Sequence, residues 1–488
     1  MNDQANRTFL LNQRSGEFLL LEDSASAYWA ALCDRPTGLI EMATLLGLTP
    51  DEVVEFAGEL AQAGLVAITH SPDADSQQCE PSQPEQSEAE IAVDLEREMM
   101  AWTAQNGFVY AAHWEVTYRC NELCVHCYNP GAAHTPEEIP HRARDELTTS
   151  EAKQLLHELV DLGVFRLTLS GGEPTLRQDF LELLAYARKL GFQVVIYTNA
   201  LKLSPALLER IASLYPASVE ISIYGADAAQ HDAVTRVPGS FVKSMSNLAR
   251  FREHNIHTMF KSTLTRGNIA GWQNTMALGR EKADTVILNS IISQGIDGKL
   301  APLNAAAEFG QLVVLAATPG SPIDVGGEIQ NWGCSDLSTG SQKPCGAGHD
   351  SIAITPEGAI YPCIAFPLSI GNFRKSGLHH LKRVQPSAPT ESPPKLNASE
   401  PGVLLDQWRS IRMENMIDCG KHERCNYCGD LCPGDAFVQT GNPLGAAENH
   451  CRQASARMTA SKHLRVGHSL ADLQKMFGVA TEFGRELR

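Results

Sequence analysis

The chain has no apolar run long enough to cross a membrane, against the ~20 residues that a bilayer requires. Its first residues, Met1-Asn2-Asp3-Gln4, hold neither a basic segment nor an apolar one. No secretory signal and no membrane partner are therefore expected, and a cytoplasmic location is. Basic residues are in deficit: 40 Lys and Arg stand against 57 Asp and Glu, a formal charge of −17 over 488 residues. That balance argues against a nucleic-acid partner, which requires a basic face. Cysteine is nearly missing before position 120, where only Cys33 and Cys79 occur.

The remaining eleven of the 13 cysteines fall at or after Cys120. In a large chain without a signal they read as metal ligands rather than disulfides. The first group is Cys120-Asn121-Glu122-Leu123-Cys124-Val125-His126-Cys127, directly after the strand-like run Trp114–Thr117. Three thiolates on one short loop can hold three irons of a 4Fe-4S cluster and leave the fourth iron open for a ligand. Zinc is the alternative, but it needs a fourth ligand, and His126 sits cramped between Cys124 and Cys127. A second strand-like run, Phe165–Leu169, ends in Ser170-Gly171-Gly172-Glu173-Pro174. Paired glycines there would let the backbone approach a ligand closely.

With both motifs in this order and spacing, residues 105–295 resemble the radical SAM superfamily. The resemblance implies a partial (β/α)6 TIM-type barrel whose C-x3-C-x2-C cluster is chelated by S-adenosylmethionine. It implies that Gly171, Gly172, Glu173 and Pro174 hold the cofactor's amino group, with Asn199 and Ser222 as further cofactor contacts. Glu220 and Lys261 are weaker candidates, and His231 and Arg236 lie in a segment that recurs in the family. Alternating patterns agree with the α/β fold class, with strands at 164–169, 193–197, 218–224, 257–264 and 285–292 and helices between them. Ligands then collect at the C-terminal ends of the strands.

Eight cysteines follow residue 333: Cys334, Cys345, Cys363, Cys419, Cys425, Cys428, Cys432 and Cys451. This block resembles the SPASM extension of radical SAM peptide maturases, which implies two auxiliary 4Fe-4S clusters and three in all. By that resemblance Cys334, Cys345, Cys363 and Cys432 hold the inner auxiliary cluster, and Cys419, Cys425, Cys428 and Cys451 the outer. The usual run is C-x2-C-x5-C-x3-C. Here His422 stands where a cysteine is expected and Cys425 appears instead, so either could be the ligand. A zinc half-site at Cys425-x2-Cys428 is the alternative.

Residues 1–69 read as a hairpin plus helices, one starting at the capping box Thr49-Pro50-Asp51-Glu52. They resemble the winged-helix peptide-recognition (PqqD-like) domain of peptide maturases, which binds a leader peptide by strand addition. The expected layout continues with an acidic linker at 70–90, the barrel at 91–295, a bridging region at 296–333, the SPASM domain at 334–455 and a tail at 456–488. Together these resemblances imply a maturase acting on a ribosomally made precursor peptide, with flavodoxin or ferredoxin as reductant. A 5′-deoxyadenosyl radical would abstract hydrogen, and a Cys thioether crosslink is the leading outcome. Carbon–carbon crosslinking, epimerisation, activation of a folded protein and plain electron carriage are the alternatives.

Overall fold

The computed structural model describes residues 7–11, 18–22, 29, 42, 49–62, 103, 107–129, 145–295, 299–325, 343–382, 401–429 and 431–479. The chain forms two compact units, Met1–Gln105 and Asn106–Arg488.

In the first unit, β1 (Arg7–Leu11) pairs antiparallel with β2 (Phe18–Glu22), Leu11 opposite Phe18 and Arg7 opposite Glu22. Helix α1 (Pro50–Gln62) begins where the sequence places it. Thr49 Oγ1 accepts from the Glu52 N–H at 3.3 Å, and Glu52 Oε2 accepts from the Thr49 N–H at 2.8 Å. Leu21, Met42, Val53, Ala57 and Leu60 are buried. The expected turn at 13–16, the helices at 25–32, 39–46 and 94–105 and the linker at 70–90 fall wholly or almost wholly outside the described residues.

The second unit is built on one sheet of nine strands, in the order β11-β10-β9-β3-β4-β5-β6-β7-β8. Six parallel strands run in sequence order: β3 (Ala111–Thr117), β4 (Arg166–Gly171), β5 (Gln193–Thr198), β6 (Ser218–Ser222), β7 (Thr258–Thr263) and β8 (Thr285–Asn289). The connecting helices are α2 (Thr149–Asp161), α3 (Phe180–Lys189), α4 (Pro205–Ala212), α5 (Ala228–Thr235), α6 (Ser240–Glu253) and α7 (Trp272–Lys282). The sheet is open, as in a partial barrel. Alternation along each strand sends Trp114, Leu167, Leu169 and Phe260 to the helix layer, where they are at most 1% exposed. Burying each such side chain stabilises the fold by roughly 1.5–3 kcal/mol. The other face of β3 carries His113, Glu115 and Thr117 toward the barrel interior.

Past the barrel, α8 (Phe309–Ala317) leads to the hairpin β9 (Ser351–Ile354) and β10 (Ala359–Tyr361), with β11 (Gly371–Asn372) at the edge. Strand β9 adds in parallel to β3, Ala111 opposite Ser351 and Trp114 opposite Ile354. The cysteine-rich extension and the barrel therefore share a sheet, which the reading as two separate blocks did not anticipate. Then follow α9 (Pro401–Arg409), α10 (Pro433–Thr440), α11 (Glu448–Arg465) and α12 (Leu470–Met476). Helix α11 was not foreseen. Its Ala456 and Ala460, together with Leu473 of α12, pack against the apolar α8. Among the described residues no helix is long and apolar enough to cross a membrane.

Candidate metal centres and cofactor cavity

Strand β3 delivers the first cysteine loop, and its end is clamped. Arg177 is buried; its Nη1 donates to the Val116 carbonyl at 2.9 Å, its Nη2 to Leu147 at 2.6 Å, and its Nε reaches Asp179 at 2.7 Å. From β4, the Gly172 N–H donates to Thr117 and the Glu173 N–H to Arg119, both at 2.8 Å. A Cβ on Gly171 would lie 2.1 Å from the Thr117 carbonyl oxygen, and one on Gly172 2.3 Å from that of Arg119. The close approach that the glycines permit is thus to the protein's own backbone, at the root of the cysteine loop.

Glu173 is fully buried. Its carboxylate accepts from the Asn199 N–H at 2.8 Å, from Thr198 Oγ1 at 2.8 and 2.9 Å, and from Thr175 Oγ1 at 2.6 Å. Burial pushes its pKa up against the hydrogen bonds that lower it. Glu173 so ties the ends of β4 and β5 together, while Pro174 opens a short 3-10 turn. Asn199 Nδ2 donates to Asn121 Oδ1 at 2.7 Å, inside the cysteine loop. Ser222 ends β6, half-buried. Glu220 and Lys261 engage each other at 2.9 Å, and the Lys261 ammonium lies 3.6 Å from the Tyr197 ring centre.

The loop's other anchor is the C-terminus of α5, whose last carbonyls have no partner within the helix. Thr235 accepts from the Leu123 N–H at 2.9 Å and Val234 from the Val125 N–H at 3.0 Å. Arg236 leaves the helix in a left-handed conformation, φ 58°. His231 is buried, accepts from the Tyr224 N–H at 3.0 Å and stacks on the Tyr224 ring. His126 meets the edge of that same ring at 4.8 Å, and burial lowers its pKa to about 4.

Burial raises the pKa of Cys120, Cys124 and Cys127; Cys120 and Cys127 add to the rise at Cys124, and Cys127 to that at Cys120, while Cys127, beside Glu115 and Glu122, reaches about 11. Their sulfurs are nevertheless not gathered to the spacing of one ion: among the described residues only Cys432, Asp435 and His450 bring three ligand atoms within 4.8 Å of each other. A looser triad suits a cluster, which takes one thiolate on each iron. Asn121 Nδ2 and Glu122 Oε1 are buried beside it without a hydrogen-bond partner. Burial lifts the Glu122 carboxyl to about 8. A cavity of about 1070 Å³ opens here at the C-terminal ends of the strands. It is lined by Cys124, Cys127, Tyr128, Arg236, Arg266 and Lys299 among others. Below, Tyr128 Oη donates to the buried Glu115 at 3.2 Å, while burial pushes the Glu115 carboxyl to about 7. Glu115, Glu122 and Tyr128 stand in runs that carry no local signal of a polar cluster, so sequence reasoning passed over them.

The later cysteines fall into two neighbourhoods. Cys363 feels the charges of Cys432 and Cys345, and burial drives its pKa to about 12. Cys334 lies outside the described residues. Cys419 feels Cys451, Cys425 and Cys428, again with burial the main cause of a pKa near 12. Cys425 and Cys428 are buried against Ala454 of α11, whereas His422 is exposed. We expect His422→Ala to keep its full iron content and Cys425→Ala to lose about four irons per chain, one cubane, by iron assay. Iron loss from the histidine variant alone would reverse the choice.

Residues 114–271 match the radical SAM superfamily. An AdoMet-dependent heme synthase from Nitratidesulfovibrio vulgaris is 36% identical over 384 residues, which are 71% of this chain and 93% of that protein. The mycofactocin maturase MftC of Mycobacterium ulcerans is 31% identical over 379 residues, 73% of this chain and 92% of the relative. Among solved structures, Streptococcus suis SuiB bound to S-adenosylmethionine superposes with a TM-score of 0.50 at 16% identity, covering 92% of this chain and 100% of that one. That likeness bears on the fold.

Proposed function

The chain belongs to the radical SAM superfamily, with the S-adenosylmethionine and 4Fe-4S cluster that membership implies, and we propose on that premise that it is a peptide maturase forming an intrapeptide crosslink. The observation that carries the reading is the sorting of the cysteines into three neighbourhoods. Cys120, Cys124 and Cys127 hold the cluster that binds S-adenosylmethionine. Cys334, Cys345, Cys363 and Cys432 hold an inner auxiliary cluster, and Cys419, Cys425, Cys428 and Cys451 an outer one. The bound cofactor supplies a radical able to take hydrogen from an unactivated C–H bond.

The protein's part is placement. Gly171–Pro174 hold the cofactor's amino group and brace the root of the cysteine loop, and Asn199 and Ser222 are further cofactor contacts at the neighbouring strand ends. The cavity beside Cys124 and Cys127 admits the substrate next to the cofactor, where orientation decides which C–H bond reacts. The β1–β2 sheet of the first unit takes up the leader as an added strand. Two full auxiliary ligand sets point to an oxidative outcome, with a Cys thioether as the bond formed and a flavodoxin or ferredoxin as electron partner.

The 36% identity to a heme synthase favours a second reading, in which the substrate is a heme precursor. Mass spectrometry separates the two. The reconstituted enzyme is given S-adenosylmethionine, a reductant and a candidate precursor peptide. Loss of two hydrogens with one thiol no longer alkylatable supports the thioether; the same loss with all thiols free means a different crosslink. An unmodified peptide, with turnover of a porphyrin precursor, would establish the second reading. Deleting residues 1–90 is expected to reduce modification of a leader-bearing peptide to background while 5′-deoxyadenosine formation without peptide persists. Undiminished modification would dismiss leader capture by the first unit.

A further inference from the structure

One polar network lies apart from the cofactor cavity and joins both auxiliary cysteine groups. Cys432 caps α10, its sulfur accepting from the Asp435 N–H at 3.3 Å. Asp435 is 3% exposed, and its Oδ2 is met by three groups: Ser293 Oγ at 2.7 Å, Asn449 Nδ2 at 2.9 Å and His450 Nε2 at 3.0 Å. Ser293 comes from the segment that leaves β8, so the network is rooted in the barrel. Asn449 is itself held, by Gln439 at 3.0 Å. The imidazole of His450, the Asp435 carboxylate and the Cys432 sulfur lie within 4.8 Å of one another. His450 Nδ1 is buried and has no hydrogen-bond partner. The next residue on α11 is Cys451, which belongs to the other cysteine group.

We propose that His450, oriented by Asp435, donates a hydrogen bond to the Cys432 thiolate of the inner auxiliary cluster, raises that cluster's potential, and links it to the outer cluster through Cys451. The inference rests on the assignment of two auxiliary clusters. His450 is a positioning residue: it touches a ligand, not the substrate. Hydrogen bonds to ligating sulfur raise the potential of an iron–sulfur cluster, and outer partners that orient a ligand tune the metal it holds. The buried Asp435 carboxylate, bonded to the imidazole at 3.0 Å, lies beside the same sulfur. Removing the imidazole leaves an anion facing the cluster, which acts in the same direction. The inner cluster would thereby be the stronger oxidant of the two and the first to take the electron released when a substrate radical closes its crosslink. A soluble one-electron carrier of higher potential than the inner cluster then draws that electron off through the outer cluster.

The test uses full-length protein carrying Cys120→Ala, Cys124→Ala and Cys127→Ala, so that only the auxiliary clusters report. Iron and sulfide are assayed, and each cluster is titrated by EPR with and without His450→Gln. We expect about eight irons per chain in both. In the variant the reduced-to-oxidised ratio of one cluster at fixed potential should fall about tenfold, equivalent to a downward shift of about 59 mV for one electron. Asp435→Asn, which removes the anion and keeps a partner for Ser293 and Asn449, should not lower the potential. Full iron with both potentials unmoved in the histidine variant overturns the inference and leaves the auxiliary clusters standing. Loss of four irons on His450→Gln overturns it too, since the residue would then be needed to hold a cluster. Stoichiometric zinc or absent auxiliary iron in the parent protein overturns both the inference and the assignment beneath it.

Discussion

Cys124→Ala is expected to bring 5′-deoxyadenosine formation down to background and to lower bound iron by about four per chain, out of about twelve. The reasoning is local. An open iron requires that the three other irons keep their thiolates, and two cysteines cannot hold the cubane in that state. The change should not unfold the loop. Its anchors are the backbone bonds from the Leu123 and Val125 N–H groups to the carbonyls of Thr235 and Val234, and the side-chain bond from Asn199 to Asn121, and none of these uses the thiol. The core under β3 is separate from it. Circular dichroism and thermal unfolding should therefore match the parent protein, with the auxiliary iron retained. Cofactor cleavage at the parent rate would remove the triad from the active centre.

Gly172→Ala should be nearly as damaging by a different route. The added Cβ would lie 2.3 Å from the Arg119 oxygen, 2.7 Å from its carbonyl carbon and 2.8 Å from the Tyr118 oxygen. These are backbone atoms, so no side chain can swing aside. The strand ends must separate, and the bonds from Gly172 to Thr117 and from Glu173 to Arg119 go with them. Overpacking and two weakened hydrogen bonds together cost roughly 2–5 kcal/mol. Gly191→Ala is the control. That glycine has φ +90° and open space around its missing Cβ, so only the conformational penalty of about 1–2 kcal/mol applies. Urea midpoints should fall in that order, and cofactor cleavage should be lost for Gly172→Ala alone. Equal midpoints would show that parting the strand ends costs no more than the control's conformational penalty.

Much of this was legible in the sequence. Short apolar runs separated by helical stretches announce a repeated strand–helix unit, so β3 to β8 were readable to within a few residues at each end. The capping box at Thr49 was also correctly read, because it depends on residues three apart. What escaped reading depends on partners distant in the chain. Nothing in Ala228–Thr235 says that its last carbonyls will receive the cysteine loop. Nothing in Ser351–Ile354 says that it will pair with β3. Helix α11 escaped for another reason: its buried face is Gln453, Ala454, Ala456, Arg457, Ala460 and Ser461, with no apolar stripe to count. The glycines were read as places of close approach, but nothing local says that the backbone of Thr117 and Arg119 is among the neighbours they make room for.

The pairing of β9 with β3 has a consequence for how such an enzyme can diversify. Cys120 follows the end of β3, and Cys345 and Cys363 flank the hairpin that β9 begins. On the proposed assignment of the clusters, the gap between the point where an electron enters and the point where it leaves is thus ruled by ladder bonds between main chains, like the fixed jaws of a caliper. Side chains on the interior face of those same strands can drift to suit a new substrate, and the span stays constant because no side chain sets it. Electron transfer falls off steeply with distance, so chemistry at one end and wiring at the other can evolve on separate clocks.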